Sequence, residues 1–113
     1  MNKELIDLAM TRLCSEAKKE YGDILAGVIL FGSCARGDYT DESDMDILLL
    51  LKVSKEEIAI ERDRILPAIH QLDTEFDYNI IFSPIVQSEE VYTHFKNVLP
   101  FYQSIEEEGV RYA

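Results

Sequence analysis

Asp44 and Asp46 stand two residues apart, at the head of the apolar run Ile47 to Leu51. Along a strand, residues i and i+2 project from the same face. The pair therefore presents two carboxylates side by side at one end of an otherwise greasy segment. Two like charges so placed cost energy unless a cation neutralises them. Hard oxygen ligands suit Mg²⁺, which takes one or two carboxylates and completes its octahedron with water and substrate phosphates. Taken alone, Asp-x-Asp is a weak signal, because acid-rich turns before strands are common.

A second group of residues lies upstream. Gly32 and Ser33 directly follow the apolar run Ala26 to Phe31, where the chain must turn and let its backbone approach a ligand. Ser33 offers a hydroxyl and an amide at the start of a possible helical turn, a natural cradle for phosphate oxygens. Arg36 adds a permanent cation one turn later. Gly32-Ser33, ten residues, then Asp44-x-Asp46 spells the pattern G-S-x10-D-x-D. With Ala35-Arg36-Gly37 and Ser43-Asp44 filling the interval, the segment from Ala26 to Leu50 resembles the minimal nucleotidyltransferase (MNT) branch of the polymerase-β-like nucleotidyltransferases.

That resemblance implies transfer of a nucleoside monophosphate, AMP from ATP above all, to a hydroxyl acceptor with release of pyrophosphate. It implies two Mg²⁺ ions, or Mn²⁺ in their place, bridged by Asp44 and Asp46. Gly32, Ser33, Arg36 and Ser43 would contact the nucleotide. A third carboxylate on a nearby strand completes the family's metal site. Asp77, at the start of Tyr78 to Phe82, is the first candidate, with Glu75 as fallback. MNT proteins of this kind are similar to the antitoxin half of pairs with HEPN-domain toxins, so the implied acceptor is a toxin tyrosine. Two further readings stay open: a catalytically idle antitoxin acting by binding, and an antibiotic-type nucleotidyltransferase acting on a small molecule.

The elements that must position these residues follow from periodicity. Glu4 to Tyr21 reads as an amphipathic helix with Leu5, Leu8, Ala9, Leu13, Ala17 and Tyr21 near one face. Ile24 to Phe31 and Met45 to Val53 read as buried strands. Ser54 and Glu57 form a capping box opening a helix that Pro67 should interrupt. Phe76 to Ser83 reads as a third strand stopped by Pro84, with two short helices following over 87–97 and 100–108. The expected fold is α+β: a small mixed sheet with helices packed on it, in the order α-β-β-α-β-α-α, forming a single domain over 1–113.

Composition bounds the function. A net charge of −11 repels phosphate backbones and so disfavours a long nucleic acid as substrate. It does not exclude a nucleoside triphosphate, because a bound divalent metal inverts the local charge. No apolar run approaches the ~20 residues of a membrane span, and no signal peptide is visible. Cys14 and Cys34 read as free thiols of a cytoplasmic protein. His70 and His94 lack partners at ligand spacing. The aromatics Tyr92, Phe95, Phe101 and Tyr102 read as core or interface and not as a base-stacking platform. With Val98 and Leu99 they are more than two short helices readily bury, so 87–113 is expected to contribute to a protein–protein surface, in a homo-oligomer or a toxin complex. No helical acceptor-binding domain is visible, so another protein is expected to supply the acceptor.

Overall fold

A computed structural model describes residues 1–113. Helix α1 (Lys3–Tyr21) starts where the Asn2 side chain accepts the Leu5 amide at 2.8 Å. It ends with Lys18 and Lys19 in the last turn and Gly22 at φ +55°. Its buried stripe is Ile6, Ala9, Met10, Leu13, Cys14, Ala17 and Tyr21. Leu8, expected inside, is 54% exposed. The true stripe is rotated toward Ile6, Met10 and Cys14, positions that periodicity fits about as well.

Four strands form one mixed sheet in the order β3-β2-β1-β4. Strands β1 (Leu25–Phe31) and β2 (Met45–Leu51) are antiparallel, with Phe31 opposite Asp46. Strand β3 (Phe82–Ser88) runs parallel to β2, and the two-residue β4 (Val110–Arg111) closes the other edge beside β1. Both central strands are apolar on both faces because both faces are covered. Met45, Ile47, Leu49 and Leu51 join Val28, Leu30 and the α1 stripe in the main core. Ile29, Leu48 and Leu50 meet Tyr92 and Ile105 in a smaller one. Those two contacts come from α5 (Glu89–Phe95) and α6 (Pro100–Glu108). Alternation along β2 puts Asp46 on the second face, with Leu48 and Leu50.

The connection between β1 and β2 contains a single helical turn, α2 (Ser33–Arg36). Between β2 and β3 the expected helix is split. Helix α3 (Ile58–Arg62) gives way to a tight 3₁₀ turn, then α4 (Leu66–Glu75) begins with Pro67 in its first turn. A proline there sacrifices only an amide that would have no intrahelical partner.

The third strand departs from expectation. Phe76 to Asn79 is not extended but a turn closing α4, with Asp77 at φ +54° and Tyr78 at φ +57°. The Asp77 amide donates to Thr74 O at 2.9 Å and that of Tyr78 to Asp73 O at 2.8 Å. The strand begins only at Phe82 and passes through Pro84. Strand β3 lies at the sheet edge, where a missing amide on the open side is tolerated. Aromatic and branched residues thus misled over Phe76 to Ile81, where helix-closing hydrogen bonds outweigh strand propensity.

Candidate active site

Strand β1 delivers Gly32 at φ +74° and ψ −157°, a region essentially reserved for glycine. The Gly32 carbonyl accepts from the amides of Ala35 (3.1 Å) and Arg36 (3.0 Å), winding α2. Gly37, at φ +92°, ends that turn. A Cβ on Gly32 would collide with Asp46 Oδ2, so the turn's backbone lies directly against the carboxylate. The Cys34 thiol donates to the Asp44 carbonyl at 3.6 Å, tying α2 to the head of β2. Two segments ten residues apart in sequence thereby become one surface.

Electrostatics at this point are unfavourable without a counterion. The Asp46 carboxyl is pushed above its ordinary value, first by burial and then by the charge of Asp44, with Arg36 opposing. Burial also pushes up the Cys34 thiol, and the charges of Asp46 and Asp44 add to it. Negative charge on Asp46 is therefore held at a cost to the fold.

A cleft of about 520 Å³ opens above this surface, within the size range of small-molecule pockets. Phe31, Gly32, Ser33, Arg36 and Asp46 form one wall. Helix α6 supplies the other through Phe101, Ser104, Ile105 and Glu108. Arg36 bridges the two walls through its Nη1, 3.3 Å from Glu108, while its Nε lies 3.3 Å from Asp38 beyond the turn. A larger hollow of about 580 Å³ lies behind α2, lined by Ile6, Leu30, Cys34 and Tyr39. It is mostly apolar and neither Asp44 nor Asp46 lines it, so the smaller cleft is the candidate site.

The fold thus gathers Gly32, Ser33, Arg36 and Asp46 in one cleft, with Asp44 at the head of the same strand. Other expected site residues fall elsewhere. Ser43 uses its hydroxyl to accept the Thr40 amide at 2.9 Å, shaping the loop that delivers Asp44. Glu75 is forked by Arg12, at 2.8 and 2.9 Å, and its carboxyl is held below the usual range by that guanidinium. Asp77, on its left-handed turn, borders a groove with Leu5 and Leu8. No three acidic, histidine or cysteine side chains come together as a metal cage. The position on β3 directly opposite Asp46 belongs to Ser83. What sequence reasoning missed is the α6 wall; Phe101, Ser104 and Glu108 carry no local signal linking them to Gly32 or Asp46.

For a divalent cation the fit is partial and specific. Asp44 and Asp46 provide hard oxygens, and the missing side chain at Gly32 is what lets the Asp46 carboxylate lie directly against the turn. That donor set suits an ion shared with a substrate's phosphates, not one caged by protein alone.

Comparison with known proteins agrees with this geometry. Residues 10–112 match the nucleotidyltransferase domain family. The chain belongs to that family and is a nucleotidyltransferase, which implies a nucleoside triphosphate substrate. Two relatives from Methanocaldococcus jannaschii, each bearing the name "putative protein adenylyltransferase", align along most of their length. One is 33% identical over 109 residues, 96% of each chain. The other is 35% identical over 92 residues, 78% of this chain and 89% of the relative. A crystal structure described as a "putative nucleotidyltransferase" from Sulfolobus solfataricus superposes with a TM-score of 0.50 at 26% identity, over 99% of this chain and 88% of that one. The α+β architecture expected from the sequence is thus the fold observed.

Proposed function

We propose that this chain, as one catalytic unit over residues 1–113, transfers AMP from ATP to a hydroxyl on another protein. The observation that carries the reading is the Gly32 backbone packed against the Asp46 carboxylate at the mouth of the cleft. The acceptor oxygen attacks the α-phosphorus, the bond from that phosphorus to the bridging oxygen breaks, and pyrophosphate leaves with its electron pair. The hydroxyl proton passes to solvent. Ser33 and the first amides of α2 orient the β- and γ-phosphates, while Arg36 offsets charge on the leaving group. Mg²⁺, or Mn²⁺ in its place, held by Asp44 and Asp46, would polarise the phosphates and lower the acceptor hydroxyl's pKa.

A protein acceptor is supported by the names of the two archaeal relatives. A HEPN toxin tyrosine as that acceptor rests on the MNT resemblance. An exposed apolar surface suits such a partner: Phe95, Val98 and Leu99 are 38%, 64% and 43% exposed, while Tyr102 is half-buried. The same surface would serve a homo-oligomer. No helix is long and apolar enough to cross a membrane. Cys14 and Cys34 are buried free thiols, which suits a reducing cytoplasm. A second reading, an antitoxin that neutralises by contact alone, is favoured by one observation. Neither Asp77 nor Glu75 joins the aspartate pair, and Ser83 stands opposite Asp46.

Incubation with ATP labelled at the α-phosphate, Mg²⁺ and a HEPN partner separates the two. Covalent label on the partner, absent with γ-labelled ATP, is the expected result. Neutralisation of the toxin without any label transfer establishes the binding-only reading instead. Within the same assay, Ser33→Ala should lower kcat/KM for ATP by roughly tenfold, the loss of one hydrogen bond to a charged group. An unchanged kcat/KM would remove Ser33 from the phosphate site.

A further inference from the structure

Phe101 is the first residue after Pro100 in α6, and the residue is 49% exposed although it borders a concave site. That exposure does not come from looseness. The ring stands edge-on to Phe31, centroids 5.6 Å apart and planes at 81°. Tyr102 flanks it at 5.9 Å and is itself braced, packing on Tyr92 at 4.9 Å and accepting from Gln87 Nε2 at 3.0 Å. Phe31 directly precedes Gly32 and lies opposite Asp46 in the sheet. The cleft therefore has a polar wall of glycine amide, serine hydroxyl and carboxylate, faced by an oriented, half-bare aromatic ring. A nucleoside triphosphate has the same polarity, an anionic tail and a flat π-faced base.

We propose that Phe101, which the sequence alone assigned to core or interface, is a nucleotide-positioning residue whose exposed face stacks on the nucleobase while the triphosphate lies along Gly32, Ser33 and Asp46. This rests on the triphosphate binding at that turn, as proposed above. Stacking on an aromatic ring is tolerant of base identity, because every base has a π-face. The wall therefore favours nucleotides over bare polyphosphates without choosing strongly among the four bases. Phe31 sets the tilt of the ring and Tyr102 supports it from α6.

Titration calorimetry with the Mg²⁺ complexes of α,β-methylene-ATP and of inorganic tripolyphosphate tests this. Wild-type protein should bind the nucleotide more tightly than tripolyphosphate. Phe101→Ala should weaken nucleotide binding about tenfold and leave tripolyphosphate unchanged. Phe101→Leu, which keeps apolar bulk but removes the π-face, should behave like alanine, and Phe101→Tyr like wild type. Equal weakening of both ligands in the alanine and leucine variants, or no weakening of the nucleotide, overturns the proposal. So does wild-type protein that binds the two ligands equally, which leaves the phosphate turn intact. Wild-type protein that binds neither ligand overturns both this proposal and the triphosphate site. Phe101→Ala that binds both ligands normally but no longer labels a partner assigns the ring to the acceptor protein instead.

Discussion

Asp44→Asn/Asp46→Asn should abolish nucleotidyl transfer, by at least about a thousandfold, a change of about 4 kcal/mol in transition-state stabilisation. The fold should survive. Both side chains lie at the head of β2, outside the apolar core that holds Met45 and Ile47. In metal-free protein the double variant should be as stable as wild type or more so. The Asp46 carboxyl is raised above its unfolded value, mainly by burial and then by Asp44. A carboxyl raised in the folded state binds its proton more tightly there. Its protonation therefore favours folding at low pH, and that advantage is lost as pH rises through the interval between the unfolded and folded values. Urea unfolding in chelator across the carboxylate range should show wild type losing stability relative to Asp46→Asn as pH rises, the difference cancelling the opposite trend of carboxylates such as Glu75. A double variant that unfolds markedly more easily in chelator at neutral pH would make the pair structural and remove it from the site.

Gly32→Ala should be nearly as damaging to activity, and unlike the aspartate change it should also cost stability. The glycine occupies φ +74° and ψ −157°, where a side-chain-bearing residue is strained by about 1–3 kcal/mol. Its new methyl would also meet Asp46 Oδ2, forcing either the turn or the carboxylate to move. A shift of about 1 Å at a reacting centre can cost on the order of a hundredfold, so kcat/KM for ATP should fall by at least that much. Valine should do worse. Chemical denaturation measures the first effect and α-labelled ATP transfer the second. Transfer near the wild-type rate in Gly32→Ala, in protein shown to be folded, would contradict a triphosphate bound against this turn.

The contrast between these two variants follows from what each residue does. Asp46 holds charge that the fold itself would be better without. Gly32 holds backbone geometry that nothing else can adopt.

How much of this was legible in sequence depended on how local the determinants were. Helix α1, β1 and β2 are encoded by caps and periodicities within one segment, and the structure reproduces them within a residue or two. Even there, the buried stripe of α1 was misjudged at Leu8, because which side faces the sheet depends on what the helix packs against. The run Phe76 to Ser83 shows the limit from the other side. Its composition suits a strand, yet α4 closes there through a turn and the strand begins six residues later, past Asp77.

By itself the sequence determined the Gly32-Ser33 turn, the Asp44-x-Asp46 pair and their spacing. These are properties of adjacent residues, and two short antiparallel strands can place them in only a few ways. Tertiary structure alone decided which residues meet that pair from elsewhere. Parallel pairing of β2 with β3 depends on a long crossover, and its register sets Ser83 opposite Asp46 while leaving Asp77 and Glu75 outside. Likewise α6 reaches the cleft because Leu48, Leu50, Tyr92 and Ile105 bury one another on the second face of the sheet. That burial carries Phe101 and Glu108 to within the site, more than fifty residues from Asp46. Apolar contact is non-directional and acts between any faces the topology brings together, so no pattern around Phe101 announces where its ring will stand.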